Sequence, residues 1–260
     1  LGLEPGVVSP YEVREATGLK YGDPPIEEAR YARDRSRRSD ASLLLRFALL
    51  RLIPPPGRVT GSVERHRIVS AEIDAHDTSH VVRRILGWLD AGRGGRVLFV
   101  HPHALNLAAR NPELRAQVAS ADMVLPDGIG IRMAARILGI PLPANVNGTD
   151  LIPELLLELA AKEVPIALIG GKPGVAERAA DRWKQRASVR VVGAWDGYRS
   201  EEEYADIAMR IEGQGPCVVL LGFGSPLQEG MAFRHFDGRP GVVAITVGGL
   251  FDFAAGDQPR

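Results

Sequence analysis

Five places along the chain put glycine, proline or a titratable side chain directly after a short apolar run, where a strand-to-helix turn would expose it. They are His101-Pro102-His103, Pro126-Asp127-Gly128, Gly170-Gly171-Lys172-Pro173-Gly174, Gly222-Phe223-Gly224-Ser225-Pro226 and Gly248-Gly249-Leu250-Phe251-Asp252. A carboxylate such as Asp127 at such a tip can act as a general base if a hydroxyl comes within hydrogen-bond reach. It can equally cap the helix that begins near Ile129, and local sequence favours the cap. Asp252 is open in the same way, between a cap and a contact to a sugar or base. The turn from Gly170 through Gly171 and Lys172 to Gly174 can hold a phosphate through backbone N–H groups and a helix dipole. It lacks the glycine spacing and the Lys-Ser/Thr pair of a P-loop. Gly222-Phe223-Gly224 opens like a dinucleotide fingerprint, but Leu227 stands where the third glycine belongs. That disfavours a nicotinamide-dependent oxidoreductase.

The histidines add less. His101 and His103 are two apart, so an extended chain would point them to one side. No spacing supplies a third metal ligand, and hydrogen bonding to substrate is the better use. His66, His76, His80 and His235 read as surface or packing residues. No Asp-x-Asp pair is available to clamp a metal-bound nucleotide. The pattern calls for no metal and no organic cofactor.

These turns need strands and helices to hold them. Apolar runs recur at 97–100, 123–125, 166–169, 189–192, 218–221 and 243–247, with helical stretches at 151–161, 175–186 and 201–211 between them. This alternation is the grammar of βαβ units. The expected fold is α/β, a Rossmann-like, mostly parallel sheet with flanking helices and a small, mainly helical N-terminal appendage. In such a sheet ligands gather beyond the carboxyl ends of the strands, at a topological switch point.

Composition divides the chain at residues 1–67 and 68–260. The first part is rich in arginine and proline, and its apolar stretch 43–53 is punctuated by Arg46 and Arg51. That stretch is either a helix lying on an anionic membrane surface or one packed on the main domain. Pro54-Pro55-Pro56-Gly57 ends it as a linker. The chain opens on Leu1 and stops at Arg260 without a terminating element, which leads us to expect truncation at both ends. There is no run of about 20 apolar residues to cross a bilayer, and no secretory signal. With 32 basic and 32 acidic residues, no net field favours nucleic acid. The single cysteine, Cys217, lies in an apolar run and reads as a buried, inert thiol, which fits the cytosol.

Six blocks, in order, resemble one family. They are Leu107-Ala108-Ala109-Arg110-Asn111-Pro112-Glu113-Leu114-Arg115, Ala121-Asp122-Met123-Val124-Leu125-Pro126-Asp127-Gly128-Ile129-Gly130 and Gly148-Thr149-Asp150-Leu151. The others are the Gly170–Glu177 turn, Gly222-Phe223-Gly224-Ser225-Pro226-Leu227-Gln228-Glu229, and Gly248-Gly249-Leu250-Phe251-Asp252-Phe253. From about Ile68 to Arg260 the chain is similar to the WecG/TagA/CpsF family of teichoic-acid and enterobacterial-common-antigen type transferases. The resemblance implies inverting transfer of an N-acetylmannosamine-type sugar, or its uronic acid, from a UDP-sugar to a polyprenyl-diphosphate-linked sugar in surface-polysaccharide assembly. It implies no metal in the chemical step. It puts the base on Asp127; His101, which departs from the family pattern, is expected to substitute beside it as a donor. Gly128, His103, Asn145, Thr149, Asp150, Pro226, Gln228, Phe251, Asp252 and the glycine turns (Gly170, Gly171, Lys172, Gly174, Gly222, Gly224, Gly248 and Gly249) would line the substrate pocket.

Four positions depart from the family pattern. Phe99 and His101 stand where the family has Thr-x-Asn, Asn145 stands where it has an arginine, and Leu227 where it has a lysine. Losing a hydroxyl, an amide and a guanidinium alters how sugar and diphosphate are held. The departures motivate an alternative, a non-catalytic relative that binds nucleotide-sugar or lipid intermediate and scaffolds the assembly machinery. A second, shorter resemblance joins Pro5–Glu12 and Arg35–Leu45 to the tail of polyprenyl-phosphate sugar transferases. The expected location is peripheral, at the inner face of the bacterial cell membrane, and a homo-oligomer is compatible with all of this.

Overall fold

The computed structural model describes residues 65–68, 70–142 and 146–256. Asn145 and the arginine-flanked stretch 43–53 lie outside the described residues. Six strands form one parallel sheet in the order β4-β3-β8-β7-β5-β6. They are β3 (Gly95–Val100), β4 (Met123–Pro126), β5 (Ile166–Gly170), β6 (Val191–Trp195), β7 (Cys217–Gly222) and β8 (Val242–Thr246). Ahead of them β1 (Arg65–Ile68) and β2 (Ala71–Asp74) form an antiparallel hairpin. The buried Asp74 carboxylate ties that hairpin to the sheet. It accepts from Arg65 Nε at 2.8 Å and from the Val124 amide at 2.7 Å.

The helices are α1 (Thr78–Asp90), α2 (Pro102–Arg110), α3 (Pro112–Ser120), α4 (Ile129–Ile137), α5 (Gly148–Ala161), α6 (Val175–Ala187), α7 (Glu201–Glu212), α8 (Leu227–Phe236) and α9 (Leu250–Ala255). Alternate strand residues sort them into two layers, as the period of a strand requires. Val97, Phe99, Leu168, Leu220 and Ile245 pack against α1, α5, α6 and α9. Leu98, Val100 and Val124 face the hairpin with α2, α3 and α4, while Ile169, Val219 and Ala244 face α7 and α8. The strands are apolar on both faces because both faces are covered.

The alternating pattern expected from sequence is present. Boundaries shift by one to three residues, and two of the shifts have a visible cause. β6 starts at Val191, because Val189 is spent as a buried filler ahead of the strand. α5 begins at Gly148, three residues early, because Asn147 caps it and its side chain accepts from the Asp150 amide. Cys217 is buried at the start of β7, and burial pushes its thiol up to about 12, which suits an inert core residue.

Strand order reverses across the β3–β8 pair: the chain leaves β3 outward to β4, then fills the other side. The pairing of these two strands stops at Val97 with Ile245. Beyond it the Phe99 amide donates to the side-chain hydroxyl of buried Thr246 at 3.0 Å. The strands are stitched there by a side chain, and the crevice opens at their carboxyl ends.

Candidate functional site

His101 follows β3 directly. It is the N-cap of α2, where its Nδ1 accepts from the Ala104 amide at 3.3 Å. In the neutral ring this leaves the proton on Nε2, so the free edge of His101 is a donor. Burial is the main cause that lowers its pKa below the usual histidine value; Glu229 opposes the shift and His103 adds to it. The chain turns helical at Pro102, so the extended segment expected to align His101 and His103 is not what aligns them. Their rings nevertheless stack, with centroids 5.9 Å apart and planes 7° apart, and His103 is exposed. Among the described residues no group of three histidine, cysteine, aspartate or glutamate side chains converges as metal ligands would.

Asp127 follows β4, and its amide donates to Val100 O at 2.8 Å, which holds it beside the end of β3. The cap reading favoured by local sequence is overturned here. The N-cap of α4 is Gly128, at φ 80°, and no side chain caps the helix. Gly128 is needed for that left-handed turn. The Asp127 carboxyl is held above the usual carboxylate range, chiefly by burial, with a partly opposing hydrogen bond from the Gly128 backbone.

Across the crevice the site is built of main chain. A Cβ added to Gly170 would stand 2.3 Å from Gly222 O, and one added to Gly222 would stand 2.8 Å from the Phe251 ring and 3.0 Å from Gly248 O. The Gly171 amide donates to Gly222 O at 2.9 Å. The ends of β5, β7 and β8 thus stack backbone on backbone, with Phe251 wedged beneath. Helices α6, α8 and α9 begin at these ends with Gly174, Pro226 and Gly249 as N-caps, and none has a side-chain cap bond. By contrast α1, α2, α3, α5 and α7 are capped by Asp77, His101, Asn111, Asn147 and Ser200. The uncapped starts, α4 included, are those that follow β4, β5, β7 and β8. Val175, Gln228, Leu250 and Asp252 already donate to backbone carbonyls at these starts, so an anion would be met by the remaining first-turn amides. Asp252 is not the cap of α9 either; it sits half-buried in the first turn. Lys172 is exposed at the rim, and Gly224 turns at φ 75° before the cis Ser225–Pro226 peptide.

Gln228 joins α8 to the β8 turn. Its Oε1 accepts from the Gly248 amide at 3.0 Å, and its Nε2 donates to Glu229 Oε1 at 3.3 Å. Glu229 is fully buried; Ser225 Oγ donates to the same oxygen at 2.7 Å, and Oε2 has no hydrogen-bond partner among the described residues. Thr149 and Asp150 lie at the start of α5, both bonded to Asn147 Oδ1, at 2.7 and 2.9 Å. Gly148 brings that start against Phe99, whose ring is buried in the core. Sequence reasoning missed Glu229, Thr246 and Asn147. Asn147 was findable as an amide before Gly-Thr-Asp, a helix-start signal. The other two sit within motifs that looked complete without them.

The chain thus joins a half-buried carboxylate and a histidine of lowered pKa to a close-packed floor of glycine backbone, at the switch point of a parallel sheet. A model of the glycosyl transferase WecG/TagA/CpsF family matches residues 66–260. The chain belongs to that family. A Bacillus spizizenii (strain ATCC 23059 / NRRL B-14472 / W23) protein named N-acetylglucosaminyldiphosphoundecaprenol N-acetyl-beta-D-mannosaminyltransferase is 30% identical over 189 residues, covering 72% of this chain and 73% of that protein. The WecG/TagA/CpsF match begins inside β1, so the hairpin pinned by Asp74 falls within the family's region. As a glycosyltransferase of this family, the protein must hold an activated sugar and an acceptor hydroxyl together, and the site has two unlike walls for the task. No helix of the described residues is long and apolar enough to cross a membrane.

Proposed function

We propose that the protein transfers an N-acetylmannosamine-type sugar from its UDP derivative to a polyprenyl-diphosphate-linked N-acetylglucosamine, with inversion, at the inner face of the bacterial membrane. The observation that carries this reading is Asp127, a half-buried carboxylate at a strand tip with no capping duty, opposite a row of uncapped helix starts. Its raised pKa brings it toward the range in which a carboxylate can take a hydroxyl proton. Asp127 accepts the proton of the acceptor hydroxyl as that oxygen attacks the anomeric carbon from the face opposite UDP. The bond from that carbon to the diphosphate breaks, and its electron pair leaves with UDP. Amides at the starts of α6 and α8, with Lys172 at the rim, meet the charge that develops on the diphosphate. Gln228 keeps the Gly248 turn in place, and His101 offers Nε2–H to the sugar or the diphosphate.

One observation favours the alternative of a non-catalytic relative: the side chain at position 99 is a phenyl ring buried in the core, so it offers the site no hydroxyl. The two readings part in one assay. Acceptor-dependent UDP release from UDP-N-acetylmannosamine, or from its uronic acid, that disappears in Asp127→Asn supports transfer. Saturable UDP-sugar binding without release on any polyprenyl-diphosphate acceptor supports the scaffold.

A further inference from the structure

Helix α4 begins two residues after Asp127 and is amphipathic in an unusual sense. Ile131 and Ala135 turn inward to the core. The outward face carries Ile129, Met133 and Ile137 at successive four-residue steps, 40%, 37% and 72% exposed, and Leu138 follows at 56%. Residues at this spacing form one stripe along a helix. The other exposed large apolar side chains, Leu157, Tyr198, Met209 and Leu227, lie on separate elements and form no such row. Arg132 and Arg136 run along one flank of the stripe. Arg132 is partly buried, and its Nη1 has no hydrogen-bond partner among the described residues. A guanidinium so placed is matched by a phosphate oxygen, to which it can bond in a fixed fork.

We propose that α4 is the face by which the protein rests on an anionic bilayer. The apolar row enters the boundary between headgroups and acyl chains, and Arg132 and Arg136 meet lipid phosphates. This rests on the transfer reading above, in which the acceptor's polyprenyl chain stays in the bilayer while its sugar is brought to Asp127. At about 1.5 Å per residue α4 is only some 14 Å long, so the entire row lies close to the base. A sugar tethered by one diphosphate reaches only a short way out of the headgroup layer, and the surface nearest the base is the one that must meet it. A second copy of the chain is a poorer occupant. A symmetric contact through this stripe sets identical surfaces together and brings the arginine flanks toward each other.

The test uses the full chain labelled at position 137 through Ile137→Cys with an environment-sensitive fluorophore. Cys217 stays unlabelled because it is buried and its thiol is pushed up to about 12. With vesicles of equal parts phosphatidylglycerol and phosphatidylcholine, the emission shifts to the blue and is quenched by nitroxide-bearing lipid. The same label introduced through Leu157→Cys on α5 does neither. The double substitution Met133→Ser with Ile137→Ser lowers vesicle partitioning about tenfold, the loss expected when two partly exposed apolar groups no longer enter lipid. Three outcomes overturn the proposal: no shift at 137 on adding vesicles, an equal shift at 157, or a blue-shifted emission at 137 before vesicles are added, which means that protein covers the row. Unchanged partitioning of the double variant overturns it too. These readouts need no turnover. If Asp127→Asn retained transfer, the proposed base would fall while the vesicle result stood or fell separately.

Discussion

On the β3–β4 side of the crevice the site is furnished by side chains, and on the β5–β7–β8 side by main chain. The first side holds Asp127, half-buried and free of capping duty, and His101, whose Nδ1 is committed to α2. The second holds Gly170, Gly222 and Gly248, packed so closely that added Cβ atoms at the first two would meet neighbouring backbone. The difference suits the two tasks of the proposed transfer. Proton removal needs a titratable group whose pKa can be set by burial. Holding a diphosphate needs several donors at fixed positions, and amides supply them without side-chain entropy to lose. The seam between the two walls is the Phe99 amide on the Thr246 hydroxyl.

The sharpest way to break the comparison is Asp127→Asn. Turnover should fall about a thousandfold, within the usual span for a lost general base, while UDP affinity by calorimetry changes by no more than about twofold. Stability moves the other way. A carboxyl whose folded pKa is raised favours the fold below its unfolded pKa, and that contribution is lost as pH rises through the folded value. At neutral pH the ionised Asp127 therefore weakens the fold, and the Asn variant should melt no lower than the parent. A large drop in melting temperature would return Asp127 to a structural role.

Next in size is Gly222→Ala on the opposite wall. The added methyl meets the Phe251 ring and the Gly248 carbonyl, so urea unfolding should show a loss of about 1–3 kcal/mol, as in other overpacked cores, and UDP binding should weaken with it. Smaller again is Gln228→Ala, which strips the acceptor from the Gly248 amide. Losing one such bond is worth about 1 kcal/mol, and UDP affinity should drop several-fold with the pH profile unmoved. The smallest effect concerns pH. The acid limb of turnover should lie above the ordinary carboxylate range because Asp127 must be ionised. His101→Gln should keep that limb in place, since Asp127 sets it and burial moves the His101 pKa downward, away from neutral pH. A limb that moves with His101 would make the histidine the titrating group.

Much of this was legible in the sequence, for reasons specific to each feature. Parallel strands buried on both faces leave uninterrupted apolar runs such as Val218-Val219-Leu220-Leu221, and their glycine ends mark the site. The hairpin was not legible, because Arg65–Ile68 carries one buried residue in four and borrows its stability from Asp74 across to Val124. Nor could the role of Asp127 be read locally. A helix follows it in either case, and only the φ of 80° at Gly128 shows that the cap sits one residue later. Glu229 gave no signal at all: an acid in the first turn of a helix reads as solvated, and only the folded turn shows it buried with Ser225 Oγ and Gln228 Nε2 donating to it. Asn145 remains an expectation from the family resemblance, outside the described residues.

The stacked turns at Gly170, Gly222 and Gly248 bear on how such an enzyme changes its donor over evolutionary time. A floor made of peptide units has no side chain to exchange, and replacing its glycines damages the fold before it alters preference. Adaptation to a new sugar is then channelled to the exposed rim, to positions such as Lys172, Tyr198 and Leu227. If the proposed floor holds the nucleotide, a change of sugar preference needs no change in the floor, only in the residues around its edge.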